Sequence, residues 1–416
     1  MKRIVSILLV VVMTFSLAAC GSNADAPKET EGGSAAAEKE TAETETETEK
    51  PDDPMANQVA IILQEGGLGD QGYNDGAKIG FDQMVEKYGI DGVLVEATAA
   101  SEADTFIRQL AEEGYPLIIC LDWVIIDYVR TASADYPDTT FVVLGKGLPG
   151  PGTQENLIEP FTALHEWAFM ASAAMIEVSK DENVMFDWQL NNPGVTIASI
   201  SPGESVNAPR SRAAEQQIRQ WYKDNEGLDV TCYNDYTGSY TDSALNQQIA
   251  ENLVTNMGVE AFWPMVGTGA LATFSTAKNL GAYSLGCDTN QDAVEPGVVA
   301  TSVLHNTTMM VINMIEEWQA GTLNGTNEYY WGVESGVVGV TDMSTVKGVE
   351  GCDQEAWARI RGALDDWEER IISGEFIVYN YFLEQEYNEN AGDFDTWQAA
   401  HPGVDYTEWV KAGRPE

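Results

Sequence analysis

The feature that most constrains the fold is a regular alternation, from residue 59 onward, between short apolar runs and longer amphipathic stretches. Short apolar runs bounded by turn residues are typical of buried strands, and the stretches between them have the spacing of surface helices. Strands followed by helices in this way predict βαβ units on a parallel sheet. In the first half the predicted strands are residues 59–64, 91–97, 116–122 and 140–145, with helices at 73–88, 103–113 and 124–134.

The same pattern begins again after a Pro- and Gly-rich passage and a helical stretch at residues 163–180. We therefore expect an α/β protein with two doubly wound, Rossmann-like lobes and a ligand cleft between them. The second set comprises strands at 195–201, 229–235, 261–266 and 282–288, and helices at 209–224, 241–256 and 268–280.

Two late strands, residues 298–305 and 331–340, flank a helix at 307–320 and are expected to complete the two sheets. A long helix is predicted at 354–373, and its pattern indicates no function. The expected domains are lobe 1 at residues 57–163 and 289–320, lobe 2 at 164–288 and 321–350, and a C-terminal extension at 351–416.

The N-terminus predicts export. Lys2 and Arg3 precede an apolar run at residues 4–19, which is shorter than the roughly 20 residues that a membrane-spanning helix needs. The tetrapeptide that ends in Cys20 resembles the lipobox of bacterial lipoproteins, which implies a signal peptide at 1–19 and a diacylglyceryl group on the Cys20 sulfur. Two acyl chains would hold the protein on the extracytoplasmic side of the cell membrane. The alternative is an ordinary secretory cleavage with Cys20 as an incidental residue.

Residues 20–54 are rich in Glu, Thr, Ser, Gly and Ala and contain almost nothing that a core could bury, so we expect an acidic disordered tether. Four further cysteines, Cys120, Cys232, Cys287 and Cys352, allow three pairings in an oxidising compartment. The sequence does not choose among them. Cys120 and Cys287 lie in apolar strand-like runs, where a buried free thiol is the simpler interpretation.

Charge and motif content exclude several classes of function. With 66 acidic against 22 basic residues and a net charge of −44, a nucleic-acid partner is not expected, because phosphate binding depends on Lys and Arg. Three histidines and the absence of zincin and P-loop motifs argue against those chemistries, and no metal or cofactor is expected. Residues 267–272 fit a dinucleotide-binding fingerprint, but close backbone approach to another ligand explains their glycines equally well. Residues 288–299 begin like an EF-hand calcium loop, but they lack its Gly and its final Glu.

Polar and aromatic residues that follow predicted strands are the candidate ligand contacts, because open α/β sheets bind ligands at the carboxyl ends of their strands. Carboxylates that accept from vicinal hydroxyls, amides and aromatic faces suit a neutral polyhydroxyl or nucleoside-like solute. Each has a structural alternative: an N-cap for Asp70, packing for the aromatic residues and a satisfied polar residue for His305. The candidates are Asp70, Tyr73, Asn74, Asp122, Trp123, Gly267, Thr268, Asp288 and His305.

Five segments together resemble the basic membrane protein family, the purine-nucleoside-receptor type of lipoprotein that serves ABC transporters as substrate-binding component. They are GDQGYNDGAKIGF at 69–81, YPDTTFVVLG at 136–145, HEWAFMASAAMIEVSK at 165–180, LGCDTNQ at 285–291 and TSVLHN at 301–306. The resemblance implies a fold like that of type I periplasmic binding proteins, a monomer, a permease as partner and no catalysis.

Residue by residue, the resemblance implies that Asp70 and Asn74 contact a base or fix the loop, that Tyr73 stacks on the base, and that Asp288 holds ribose hydroxyls. The chain departs from the family pattern at Gly72, where the family has Ser, at Tyr73, where it has Phe, and at His305, where it has Lys.

The sequence therefore predicts a lipid-anchored receptor that binds a nucleoside-like solute between two lobes and delivers it to a permease. Alternatives are a sugar or polyol receptor on the same fold and a surface adhesin or signalling lipoprotein that uses the C-terminal tail. An exported glycoside hydrolase with paired carboxylates is a third, although no arrangement in the sequence singles out an acid and a nucleophile.

Overall fold

The computed structural model describes residues 56–97, 100–145, 151–181, 184, 195–203 and 207–378. The signal peptide, Cys20 and the tether lie outside the described residues, as do positions 379–416. None of the described helices is long and apolar enough to cross a membrane.

The first sheet is parallel and has five strands in the order β2-β1-β3-β4-β5. Their apolar runs are buried against helices on both faces, as expected for a central parallel sheet. The strands are β1 (Gln58–Leu63), β2 (Asp91–Glu96), β3 (Leu117–Cys120), β4 (Thr140–Val143) and β5 (Leu157–Ile158), and the helices are α1 (Tyr73–Tyr88), α2 (Ala100–Glu113) and α3 (Ile126–Asp135).

Strands β6 (Phe161–Thr162) and β12 (Tyr330–Trp331) pair in parallel and form a separate two-stranded sheet. Helix α4 (Leu164–Lys180) then enters the second lobe and is buried along nearly its whole length, consistent with its apolar sequence. Its Glu166 accepts hydrogen bonds from the Val333 N–H at 2.7 Å and the Tyr330 hydroxyl at 3.0 Å. These bonds fix α4 to β12 and to the segment that follows it.

The second sheet has six strands in the order β13-β11-β10-β9-β7-β8, and only β13 runs antiparallel to its neighbour β11. Hydrophobic clusters again lie on both faces of the sheet. The strands are β7 (Val195–Ser201), β8 (Val230–Tyr236), β9 (Ala261–Pro264), β10 (Tyr283–Asp288), β11 (Val299–His305) and β13 (Val338–Val340), and the helices of this lobe are α5 (Asn207–Glu226), α6 (Ser243–Met257), α7 (Ala270–Leu280), α9 (Ser344–Lys347) and α10 (Gln354–Ile372). Helix α8 (Thr307–Gln319) follows β11 in the chain.

The stretch at residues 289–320, assigned to lobe 1 from the sequence, is divided between the lobes. Strand β11 pairs in parallel with β10 of the second sheet, whereas α8 packs on α1 of the first lobe. The physical reason is packing: β11 is almost fully buried between β10 and β13, and Met310 and Met314 of α8 join the apolar cluster of the first lobe. The predicted strand at 331–340 is likewise interrupted, by a turn in which the Ser335 N–H bonds to the Gly332 carbonyl.

Helix α10, predicted as part of a C-terminal extension, belongs to the core of the second lobe. Asp353 caps its N-terminus, and Trp357, Ile360, Leu364 and Trp367 are buried in the cluster that also contains α4. The indole N–H of Trp367 donates to the Tyr222 hydroxyl at 3.2 Å, and that hydroxyl donates to Glu177. The extension therefore starts, structurally, no earlier than the end of this helix.

All four described cysteines are free thiols, so none of the three possible pairings is formed. Cys120 and Cys287 are buried, which confirms the interpretation of their apolar surroundings. Burial raises the pKa of both thiols above the ordinary value.

Candidate functional site

The carboxyl ends of the two sheets face one cleft of about 950 Å³, part of which is open to solvent. Eight of the nine residues predicted from the sequence line this cleft, and the ninth, Asp122, lines a chamber beside it. The eight are Asp70, Tyr73, Asn74, Trp123, Gly267, Thr268, Asp288 and His305.

Asp70 lies at the cleft wall, but its carboxylate binds backbone. Its two oxygens accept from the N–H groups of Gly72 and Asn74, each at 2.9 Å, and from that of Asp75 at 3.1 Å. These donors are among the unpaired N–H groups at the start of α1. Burial raises the pKa of Asp70 in spite of these bonds. The structure thus favours the capping interpretation of Asp70.

Asn74 fixes the loop that leaves β1. Its Oδ1 accepts from the Gln64 N–H at 2.9 Å and its Nδ2 donates to the Gln64 carbonyl at 3.3 Å. The side chain is 2% exposed, so both ends of the amide are used inside the protein. Of the two roles implied for Asn74, the geometry favours positioning Gln64 and the neighbouring Glu65 at the cleft.

Asp288 and His305 form the polar centre of the second lobe's wall. The Asp288 Oδ1 lies 3.5 Å from His305 Nδ1, and Asp288 has a left-handed backbone with φ of 69°. The imidazole stacks on Tyr73, with ring centres 5.3 Å apart and planes inclined by 22°. Within the described part of the chain, His305 Nε2 is buried and has no hydrogen-bond partner.

The face of Tyr73 is therefore partly covered by His305, and its hydroxyl donates to the Leu121 carbonyl at 3.3 Å. Trp123 is more accessible than Tyr73, since its side chain is half-buried and lines both the cleft and the side chamber. Asp122, directly before it, accepts from the Val124 N–H at 3.0 Å. Burial, with the nearby Glu65 carboxylate, raises the pKa of Asp122.

Gly267 and Gly269 are required by packing around Tyr240. A Cβ on Gly267, whose φ is +51°, would lie 3.1 Å from the Tyr240 carbonyl, and one on Gly269 would lie 2.4 Å from the Asn246 amide. This close approach accounts for the fingerprint-like spacing without a dinucleotide. The calcium-like loop is also explained, since the Asp292 carboxylate accepts from the Ser302 and Thr341 hydroxyls at 2.6 and 2.7 Å.

Among the lining residues that sequence reasoning missed, four carry polar or aromatic side chains that bear on the chemistry of the cleft: Glu65, Trp167, Ser201 and Tyr240. Tyr240 lies in the loop after β8, so the rule that selected the other candidates could have selected it. Burial, together with Asp122 and Asp288, raises the pKa of its phenol to about 12. Trp167 lies on α4, where no strand end marks it; its ring meets that of Trp263 edge-on with centres 4.4 Å apart.

A cleft between two doubly wound lobes, lined by strand ends from both, defines the class of two-lobed solute-binding receptors. A family model described as ABC transporter substrate-binding protein PnrA-like matches residues 57–204 and 221–359. The chain therefore belongs to this family of ABC transporter substrate-binding proteins, as its sequence motifs predicted.

Curated relatives agree with this assignment. Basic membrane protein A1 of Borrelia garinii subsp. bavariensis is 23% identical over 78% of this chain and 88% of its own length. The ABC transporter nucleoside-binding protein BmpA of Lactococcus lactis subsp. cremoris is 20% identical over 77% of this chain and 88% of its own. An uncharacterized lipoprotein of Pyrococcus furiosus is 20% identical over 70% and 71%.

Among solved structures, an ABC transporter system solute-binding protein from Aeropyrum pernix K1 superimposes with a TM-score of 0.65 at 19% identity. The match covers 82% of this chain and 99% of that one. At this identity the likeness establishes the shared two-lobed fold.

Proposed function

We propose that this substrate-binding protein takes a nucleoside-like solute, with the flat ring and the hydroxyl-bearing part held by different residues of the cleft. The observation that carries the proposal is the placement of a half-buried indole, Trp123, and a carboxylate, Asp288, on the walls of the same cleft. An indole face stacks on a heterocycle, and a carboxylate accepts hydrogen bonds from two vicinal hydroxyls. The nucleoside-binding name of the Lactococcus relative supports the same ligand class.

We further propose that Cys20 carries the lipid and that residues 20–54 tether the lobes outside the cytoplasmic membrane, as a monomer that delivers solute to a permease. The lipobox-like tetrapeptide and the lipoprotein name of the Pyrococcus relative support the anchor. Lobe closure would bind the solute and reopening would release it, with no chemical change.

Metabolic labelling with a radioactive fatty acid tests the lipid anchor. Label is expected in the native chain and lost in Cys20→Ala, whereas label retained by that variant contradicts the assignment.

A thermal-shift screen of the purified full chain tests the ligand class. Nucleosides, free bases, pentoses, hexoses and amino acids are the probes, because a ligand at 100 times its dissociation constant adds about 2.7 kcal/mol of stability. We expect a shift with nucleosides. A shift with hexoses and none with nucleosides would reassign the protein to the sugar-binding alternative.

Asp288→Asn is the variant that tests the hydroxyl contact. Asn adopts the left-handed backbone of residue 288 at low cost, so the unliganded protein is expected to fold normally. The shift with nucleosides is expected to fall strongly, and Glu86→Gln, an exposed change on α1, serves as the matched control. Undiminished nucleoside affinity in Asp288→Asn would contradict the role proposed for this carboxylate.

A further inference from the structure

A second chamber of about 750 Å³, also partly open, adjoins the cleft. It lies beside the ends of β1, β2 and β3, and it shares Gln64, Glu65, Trp123 and Tyr240 with the cleft. Its two ionisable carboxylates are Glu65 and Asp122. A solute that fills the cleft therefore has room for a substituent in this side chamber.

The cleft and the side chamber are lined by negatively charged residues. Among the described residues, four carboxylates line the two chambers, Glu65, Asp70, Asp122 and Asp288, while no Lys or Arg does. Within this part of the chain none of Glu65, Asp70 and Asp122 has a Lys, Arg or His within ion-pair distance. Burial raises the pKa of Asp122, and the nearby Glu65 carboxylate adds to that rise.

The charge count refers to the described residues alone; Lys146, which follows the lining residue Gly145 in the sequence, lies outside them. A negatively charged space with low-dielectric walls attracts cations and concentrates them.

Aromatic groups stand where the two chambers meet. Trp123, from the first lobe, and Tyr240, from the second, line both of them. An indole or phenol face attracts a cation, most strongly when the pair is removed from water. The carboxylates and the aromatic rings thus both favour a positively charged solute.

The cleft also contains a polar atom without a partner. His305 Nδ1 faces the Asp288 carboxylate at 3.5 Å, and the other ring nitrogen, Nε2, is buried with no hydrogen-bond partner among the described residues. An unpaired buried polar atom is costly, so the wall that holds the flat ring favours a solute that forms a hydrogen bond there.

We propose that the solute is an organic cation whose flat ring lies in the cleft and whose protonated amine lies in the side chamber between Glu65 and Asp122. The position of the ring rests on the proposed function. The positive charge goes beyond it, because a neutral nucleoside leaves the side chamber without a complementary group.

Isothermal titration calorimetry on the full chain tests the proposal with three probes that share the adenosine scaffold and differ in the charge of the 5′ group. They are adenosine, 5′-amino-5′-deoxyadenosine, which carries an ammonium group, and adenosine 5′-monophosphate, which is an anion. We expect the amine to bind at least about tenfold more tightly than adenosine, or about 1.4 kcal/mol, and the monophosphate to bind more weakly than both. The preference for the amine should shrink as salt is added.

Glu65→Gln and Asp122→Asn are the test variants, and Glu86→Gln and Asp138→Asn, both exposed, are the matched controls. In the test variants the preference of amine over adenosine should fall towards unity. The controls should keep the preference. Thermal midpoints without ligand verify that every variant is folded.

The outcomes separate the two proposals. Equal affinity for amine and adenosine overturns the cationic solute and leaves the nucleoside-like ligand in place. Binding of putrescine or choline, with none of the nucleosides, overturns the nucleoside-like ligand and the placement of the ring, and supports only the positive charge of the solute. Failure of every cationic probe to bind more tightly than its neutral counterpart overturns the further inference.

Discussion

Replacing Asn74 tests whether this residue positions the cleft loop through Gln64. In Asn74→Ala the protein loses the bond from the Gln64 N–H at 2.9 Å and the bond to the Gln64 carbonyl at 3.3 Å. Two such bonds contribute about 1–3 kcal/mol, and the higher helix propensity of Ala at the start of α1 offsets roughly 0.5 kcal/mol of that. The expected loss in the free energy of unfolding is therefore about 0.5–2.5 kcal/mol.

Asn74→Asp makes the test sharper. The carboxylate still accepts from the Gln64 N–H, but its second oxygen faces the Gln64 carbonyl at a site that is 2% exposed in the native protein. Burial and this repulsion raise the pKa of the introduced acid, so the folded state binds its proton more tightly than the unfolded state. The loss is fully present above the folded pKa, declines as the pH falls below it, and is gone below the unfolded pKa, because the protonated acid can donate to the carbonyl.

Urea unfolding followed by circular dichroism, without ligand, at about pH 7.5 and about pH 4.5 measures both effects. We expect Asn74→Asp to lose more stability than Asn74→Ala at the higher pH and to recover at the lower one. The same two substitutions at Asn252, which is exposed on α6, are the control and should change stability by less than about 0.5 kcal/mol. If Asn74→Ala matches the Asn252 control, the positioning role is refuted.

Three further results are expected from stability measurements. Since burial raises the pKa of Asp70 and Asp292, the folded protein binds more protons than the unfolded chain at mildly acidic pH, and the melting temperature should rise from about pH 7 to about pH 5; a fall would contradict this. Trp367→Ala should cost about 3–5 kcal/mol in urea, and a cost below about 1 would show that α10 is not part of the second lobe's core. Gly80→Ala should destabilise by about 1–3 kcal/mol, because its Cβ would lie 2.6 Å from a backbone oxygen of α8, whereas Gly362→Ala, with open space around it, should be neutral or stabilising in the same assay.

The local hydrophobic pattern predicted the helices and strands well, because an apolar run shows by itself that its segment is buried. Strand β11 was expected at residues 298–305 and is Val299–His305, and the helix expected at 354–373 is Gln354–Ile372. The partners of these elements could not be read in the same way. A buried β-branched run fits either parallel sheet, and an amphipathic helix shows which face it buries but not against what.

In the site, likewise, the positions of the residues could be predicted from the sequence, but their roles could not. The rule that ligands lie beyond strand ends placed eight of nine candidates in the cleft, but it does not say which way a side chain points. That depends on the loop backbone, where Gln71 has a φ of 49° and Asp75 accepts from the N–H groups of Gly69 and Gln71 at 2.9 Å. Such turns are set by several side chains at once, so single-residue reasoning left the roles of Asp70 and Asn74 open.

The polar residues of the cleft therefore fall into two groups with different consequences. In the loop after β1, the side chains of Asp70, Asn74 and Asp75 all bind backbone, which fixes the conformation of this wall. The residues proposed to meet a solute are divided between the lobes: Trp123 and Glu65 come from the first, and Asp288 and Tyr240 from the second. Neither lobe alone holds the proposed set, so under this proposal tight binding requires closure of the cleft. The affinity of a solute is thereby coupled to the closed conformation, which is the coupling that a receptor needs if opening is to release its cargo.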